Sequence, residues 1–236
     1  IVHRGDFYVG LAPQQRVGEA GEEMGVDVVT VDWDGQRVAN RDLDVEVYRR
    51  EWINTFVEDE RGGTWEYETQ DTLVTTDTIA TDDNAAAEIS FTPPEGGSYR
   101  VVVSDREAGG ADAEGALVRS STWFWVSGAG DVSWRRENND RFDLISDKSS
   151  YVPGETAEIL IPSPFQGEQW AWITVERGGV LQQDVRRLES SSAVYRLPIT
   201  AQHAPNVYVS VVIVKGPDAT NPAAAHKVGI LPLTVE

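Results

Sequence analysis

The chain has 236 residues, with 20 basic and 39 acidic side chains, a net charge of −19, 40% hydrophobic residues and no cysteine. That length suits one large domain or two modest ones. The acidity excludes a surface that neutralises nucleic-acid phosphates or adsorbs to anionic lipid, and the absence of cysteine excludes disulfides, thiolate metal sites and cysteine nucleophiles.

Taken in chain order, strand signals recur about every ten residues between turn residues. Val26–Val31 is a short apolar run ended by Asp32-Trp33-Asp34-Gly35, whose Asp-Gly suits a hairpin turn. Leu43, Val45 and Val47 alternate with Asp44 and Glu46. Trp65, Tyr67 and Leu73–Ile79 are rich in β-formers. Asp83–Glu88 is the best helix candidate and is very short. Ala87–Phe91 runs into the breaker Pro93-Pro94-Glu95-Gly96-Gly97, followed by Tyr99–Val103 and Val118–Val126. After residue 130, Phe142–Ile145, Ala157–Ile161, Trp170–Val175, Val180–Val185, Val194–Ile199, Val207–Val214 and Val228–Val235 read the same way. No segment sustains a 3.6-residue period, and strands do not alternate with helices, so a parallel α/β sheet is excluded. About seven short strands per hundred residues is the arithmetic of an immunoglobulin-like sandwich. No apolar run approaches the roughly 18 residues of a membrane-spanning helix.

Charge is unevenly spread. Residues 1–130 carry 26 acids against 10 bases, and residues 131–236 carry 13 against 10. With Ser127-Gly128-Ala129-Gly130 as a flexible linker, the expected fold is all-β, with two tandem domains, 1–129 and 130–236, each an immunoglobulin-like antiparallel β-sandwich. Ile1 is not a starting Met and Glu236 follows directly on a strand, so a piece of a longer protein is expected.

Candidate chemistry is sparse. His3, His203 and His226 are far apart, and no nucleophile-elbow, zinc-protease or phosphate-loop motif is present. His203, beside Ala204-Pro205-Asn206, reads as a turn residue. Asp32-Trp33-Asp34-Gly35 resembles the start of a calcium loop, but Leu43 stands where the bidentate carboxylate belongs. The acidic, Gly-rich stretch Asp105–Gly115 is the remaining calcium candidate. Arg4-Gly5-Asp6 spells an integrin tripeptide of a length that arises by chance. Paired acids such as Glu22/Glu23 and Asp82/Asp83 read as solvated surface. The tryptophans at positions 33, 52, 65, 123, 125, 134, 170 and 172 are expected between the sheets. The competing reading is an aromatic platform for sugars, because Trp123/Trp125 and Trp170/Trp172 each put two indoles on one strand face. The expected site list therefore holds no catalytic, cofactor-binding or metal-binding residue.

The second half carries an ordered set of short motifs: Asp147-Lys148 leading to Tyr151-Val152-Pro153-Gly154-Glu155, then Ser163-Pro164-Phe165 and the turn to Gly167, then Val175-Glu176-Arg177, then Pro205-Asn206-Val207-Tyr208-Val209. Together they resemble the macroglobulin domain near the bait region of bacterial alpha-2-macroglobulins. The first half resembles a preceding macroglobulin domain through Tyr8-Val9-Gly10-Leu11, Val31–Gly35, Val47–Trp52 and Gly96–Val101. The resemblance implies a protease trap in which cleavage of an exposed bait triggers rearrangement, and in many members a Cys–Gln thioester captures the attacker. Gln166-Gly167-Glu168-Gln169 looks like the thioester signature but has Gln where Cys is needed, so no thioester residue carries over. Implied further are an extracytoplasmic location (periplasmic, secreted or surface-anchored), proteases and neighbouring macroglobulin domains as partners, a non-enzymatic role and no cofactor. The loop that best suits a protease is small and polar: Pro217, Asp218, Ala219, Thr220, Asn221, Pro222, Ala223, Ala224, Ala225 and His226. Competing with this are an adhesin or carbohydrate-binding module and, third, a β-sandwich glycosidase.

Overall fold

A computed structural model describes residues 6–58, 63–105, 118–221 and 223–236. His3, Arg4, Gly5, Pro222 and all of the Asp105–Gly115 stretch except Asp105 lie outside the described residues.

The described residues form sixteen strands and one 3₁₀ turn, Ala201–His203. The first eight strands are β1 (Tyr8–Pro13), β2 (Val17–Glu19), β3 (Met24–Val31), β4 (Asp42–Val57), β5 (Thr64–Ala80), β6 (Ala86–Phe91), β7 (Gly97–Asp105) and β8 (Arg119–Ser127). They build a three-stranded sheet, β1-β3-β6, against a five-stranded sheet, β2-β8-β7-β4-β5. The second eight are β9 (Ile145–Ser146), β10 (Ser150–Tyr151), β11 (Thr156–Pro162), β12 (Gln169–Glu176), β13 (Val180–Leu188), β14 (Ser192–Pro198), β15 (Asn206–Lys215) and β16 (Ala225–Val235). They build β9-β11-β14 against β10-β16-β15-β12-β13. The two halves have the same topology, strand for strand. The pairings are antiparallel, as expected, except β2 with β8 and β10 with β16, which are parallel.

The period-two pattern explains the layers. Along β15 every second residue is buried, and Val207, Val209, Val211 and Ile213 have no solvent exposure. They meet Ala157, Ile159 and Ile161 of β11 and Leu197 of β14 in one core. In the other sandwich Val26 and Val28 face Leu43, Val45, Val101, Phe124 and Val126. Burying one such aliphatic group stabilises the fold by about 1.5–3 kcal/mol.

Two expectations are corrected. Asp83–Glu88 is not helical: the Asp82 carboxylate accepts from the amides of Asn84 and Ala86 and turns the backbone straight into β6. The tryptophans are absent from both sandwich cores, which β-branched residues and smaller rings fill. Trp170 and Trp172 are 51% and 48% exposed on the outer face of β12. Trp134 is buried in a third cluster, with Val17, Val132 and Leu160, against the half-buried Trp52 and Trp125.

The resemblance motifs have local physical causes. Asp147 accepts from the Tyr151 hydroxyl (2.7 Å) and from the Glu158 amide (2.8 Å). Burial, then the bond to Asp147, pushes the Tyr151 phenol well above its ordinary range. Lys148 pairs with Glu155 (2.8 Å), and Gly154 takes φ +103°, a conformation that favours glycine. At the Phe165–Gly167 turn the Phe165 ring is buried and Gln169 accepts from the Ser163 hydroxyl, so the thioester-like run is a hydrogen-bonded corner.

His203 ends the 3₁₀ turn, where its Nδ1 accepts from the Thr200 amide (3.2 Å) and burial lowers its pKa. The neutral form is favoured in the fold. As pH falls through about 6.5 the unfolded state takes the proton first, so stability is full above that value and is lost below it. Melting temperatures between pH 7.5 and 5.5 are expected to fall more steeply for the unsubstituted protein than for His203→Asn. Parallel slopes would contradict this assignment.

Candidate functional site

The expected linker is held on both sides. Gly128 exchanges hydrogen bonds with the Ser192 hydroxyl (3.3 and 3.2 Å), and Val132 does so with the Ser191 hydroxyl (2.6 and 2.8 Å). The Gly128 backbone lies so close to Gly96 that a β-carbon at 128 would sit 2.7 Å from the Gly96 nitrogen. Within Ser127–Gly130 the close approach is at Gly128, while Ala129 and Gly130 are exposed.

The other side is gripped by the hairpin of β4 and β5. These strands pair over sixteen positions, from Asp42↔Ala80 to Val57↔Thr64, while β7 covers β4 only from Leu43 to Arg50. The uncovered end reaches beyond its own sheet to residues 133–138. Asn54 donates to the Trp134 carbonyl (2.8 Å) and accepts from the Arg136 amide (2.9 Å), as a neighbouring strand would. Ser133 donates to the Trp52 carbonyl, and the Asn138 side chain bonds both the amide (2.6 Å) and the carbonyl (2.9 Å) of Trp65. Arg135 lies over Tyr67 at 4.4 Å, and Arg136 over Trp65 at 3.7 Å.

Two clefts flank Trp134. One, of about 290 Å³, is lined by Trp52, Trp125, Trp134, Arg135, Arg141 and Phe142 among others. The second, of about 260 Å³, is polar and includes Asn54, Trp65, Ser133, Arg136, Gln166 and Thr220. The Trp134 indole N–H is buried without a hydrogen-bond partner.

The loop expected to suit a protease lies beside the second cleft. Pro217, Asp218, Ala219, Thr220, Ala223 and Ala224 are exposed. Ala225 and His226 belong to β16, opposite Lys215 and Val214, so the loop is shorter than its sequence implied. It is also tied down. Asp218 pairs with the buried Lys215 and accepts from the amides of Thr220 and Asn221, which holds its carboxyl far below the ordinary range. Asn221 is buried and donates to the Ala223 carbonyl (2.5 Å), while its Oδ1 accepts from Arg136 Nη2 (2.7 Å).

The catalytic candidates do not converge. His203 is fixed in its turn and His226 in β16. Asp32 uses its carboxylate on the amides of Asp34 and Gln36 (2.9 Å each), closing the expected turn. Among the described residues no group of three or more His, Asp or Glu is placed to hold a metal. Reading the sequence placed Asn221 only in the candidate loop and Trp134 only among the core tryptophans, and it missed Arg136 and Asn54 altogether. The one signal was a basic pair beside a tryptophan, Trp134-Arg135-Arg136, just past the linker of an acidic protein.

Comparison with known proteins supplies the context. A family model described as bacterial macroglobulin domain 6 matches residues 10–117, and one described as alpha-2-macroglobulin bait region domain matches residues 142–236. An alpha-2-macroglobulin homolog of Nostoc sp. (strain PCC 7120) is 24% identical over 199 residues, 84% of this chain and 10% of that protein. Alpha-2-macroglobulin of Escherichia coli (strain K12) is 25% identical over 239 residues, 97% of this chain and 14% of that protein. The chain thus spans between a tenth and a seventh of the length of these relatives. Among solved structures, the native conformation of the E. coli protein aligns over 98% of this chain and 15% of its own at 22% identity, with a TM-score of 0.46.

Proposed function

The chain belongs to the bacterial alpha-2-macroglobulin family, and on that premise we propose that it is a non-catalytic pair of β-sandwiches, split near residues 129 and 130, in the frame of a protease trap. The observation that carries this reading is the order of the two family matches, domain 6 then bait region domain, across a junction bonded from both sides. A frame must transmit a local cut to distant parts, and a bonded junction does so where a free linker does not. Proteases would be met through the full-length parent, outside the cytoplasm, with macroglobulin domains as neighbours.

In this reading the loop from Pro217 to His226 is the place a protease engages. Its exposed stretch at Ala223 and Ala224 offers small side chains. Limited digestion of the 236-residue protein with elastase, followed by mass analysis of the first products, is expected to cut there first. A first cut outside 217–226 would remove the loop from the proposal, although the frame role would stand. Failure of the full-length parent to retain or inhibit any protease after cleavage would remove the frame role.

A further inference from the structure

Arg136 is only 8% exposed, and among the described residues no ion pair involves it. Trp65 lies against its guanidinium at 3.7 Å and Phe165 at 5.1 Å. One N–H, on Nη2, is taken by the neutral Asn221 side chain. Burial alone lowers its pKa. A second buried cation is close by: Lys227, 6% exposed, donates to the carbonyls of Glu137 (2.7 Å) and Asn139 and feels Arg136 as a like charge. Asp140 and Glu137 are near enough for Lys227 to sense but form no ion pair with it. In a protein of net charge −19, two buried cations with no carboxylate partner among the described residues are out of place. Burial of a lone charge is strongly unfavourable unless an opposite charge meets it.

Arg136 lines the polar cleft, with Trp65, Pro164 and Val132 as apolar wall and Gln166, Ser133, Thr220 and Asn54 as polar rim. We infer that this cleft is a binding site for a carboxylate borne on a polypeptide, either an Asp or Glu side group or a terminal carboxylate, with Arg136 as its counter-ion. A guanidinium stacked on rings keeps its remaining N–H groups in its own plane, which suits the planar, two-oxygen edge of a carboxylate. The volume of about 260 Å³ admits one residue's side group and its peptide unit rather than a larger ligand. The site does not depend on the protease-trap reading, since it follows from the burial of Arg136 and the want of a counter-charge among the described residues.

The test is an NMR titration of the 236-residue protein, reading the indole N–H signals of Trp65 and Trp134 and the Nε–H of Arg136. The probes are a capped alanine–glutamate–alanine tripeptide, its glutamine counterpart, sodium acetate and sodium chloride. The glutamate peptide is expected to give saturating shifts with a dissociation constant of roughly 1–10 mM, and the glutamine peptide and chloride none. Acetate matching the glutamate peptide would keep the carboxylate site but assign it to free acids. Arg136→Lys should weaken binding about tenfold, because a point charge replaces the fork. Gln166→Glu leaves Arg136 untouched and is expected to reduce binding by placing a competing carboxylate at the cleft. Equal shifts from the glutamine peptide or from chloride, or no saturable shift with the glutamate peptide, would overturn the inference.

Discussion

Replacing Trp134 by alanine is expected to cost the junction about 3–5 kcal/mol, the cost of emptying a large aromatic site. Trp134 is 5% exposed and packs on Val17, Val132 and Leu160, with the Trp52 ring centroid 6.3 Å away, so it touches both sandwiches and the crossing segment. Each sandwich keeps its own core, because neither core contains Trp134. The unsubstituted protein is therefore expected to melt in one calorimetric transition and Trp134→Ala in two, the lower-melting sandwich separating from the other. Trp134→Phe is the control. It retains most of the packing and loses only an indole N–H that has no partner, so a single transition is expected to remain. Two transitions in the unsubstituted protein, or one in Trp134→Ala, would show that the junction does not couple the sandwiches.

Asp147→Ala is expected to destabilise the second sandwich by roughly 2–4 kcal/mol. The carboxylate serves two donors at once, the Tyr151 hydroxyl and the Glu158 amide, and Tyr151 is nearly fully buried. Alanine leaves both donors without an acceptor. Tyr151→Phe removes one of the two donors and should cost less, about 1–2 kcal/mol. The double variant should cost less than the sum, because the two residues share one bond. Urea unfolding followed by fluorescence measures all three. A loss below about 0.5 kcal/mol for Asp147→Ala would place the corner among surface features of no structural consequence.

Much of this was legible in the sequence. The run Val207–Val214 is a property of consecutive residues and it specified the strand, but Val212 and Val214 are as apolar as Val211 and Ile213, so the buried face was set by what packs against it. The Asp147–Glu155 corner was legible for the same reason, since its partners lie within eleven residues of one another. The turn at Asp32 closes on amides two and four residues away. The eight-strand repeat shared by the two halves was legible only as a similar rhythm of strands, because topology depends on which strands pair and not on what each strand is.

What the tertiary structure decided involves partners far apart in sequence. Leu43, Val45 and Val47 marked a strand, but not that β4 would run on to Val57 and β5 back from Thr64, since the overhanging end is stabilised by a segment some eighty residues later. The tryptophans were expected between the sheets, yet burial of an indole depends on what faces it. Trp170 and Trp172 stay half exposed on an outer sheet face, whereas Trp134 is enclosed by residues from position 17 to position 194. Arg136 is by type a surface residue, and in the fold it is buried. Only the meeting of Trp65, Phe165 and Asn221 around it, from three separate elements, made it a buried charge. By itself the sequence determined most of the strands and the local corners, because those follow from residue type and short-range hydrogen bonds. The junction, its clefts and its buried charge were left to the tertiary structure, because the cost or gain of burying a group is set by neighbours that only folding brings together.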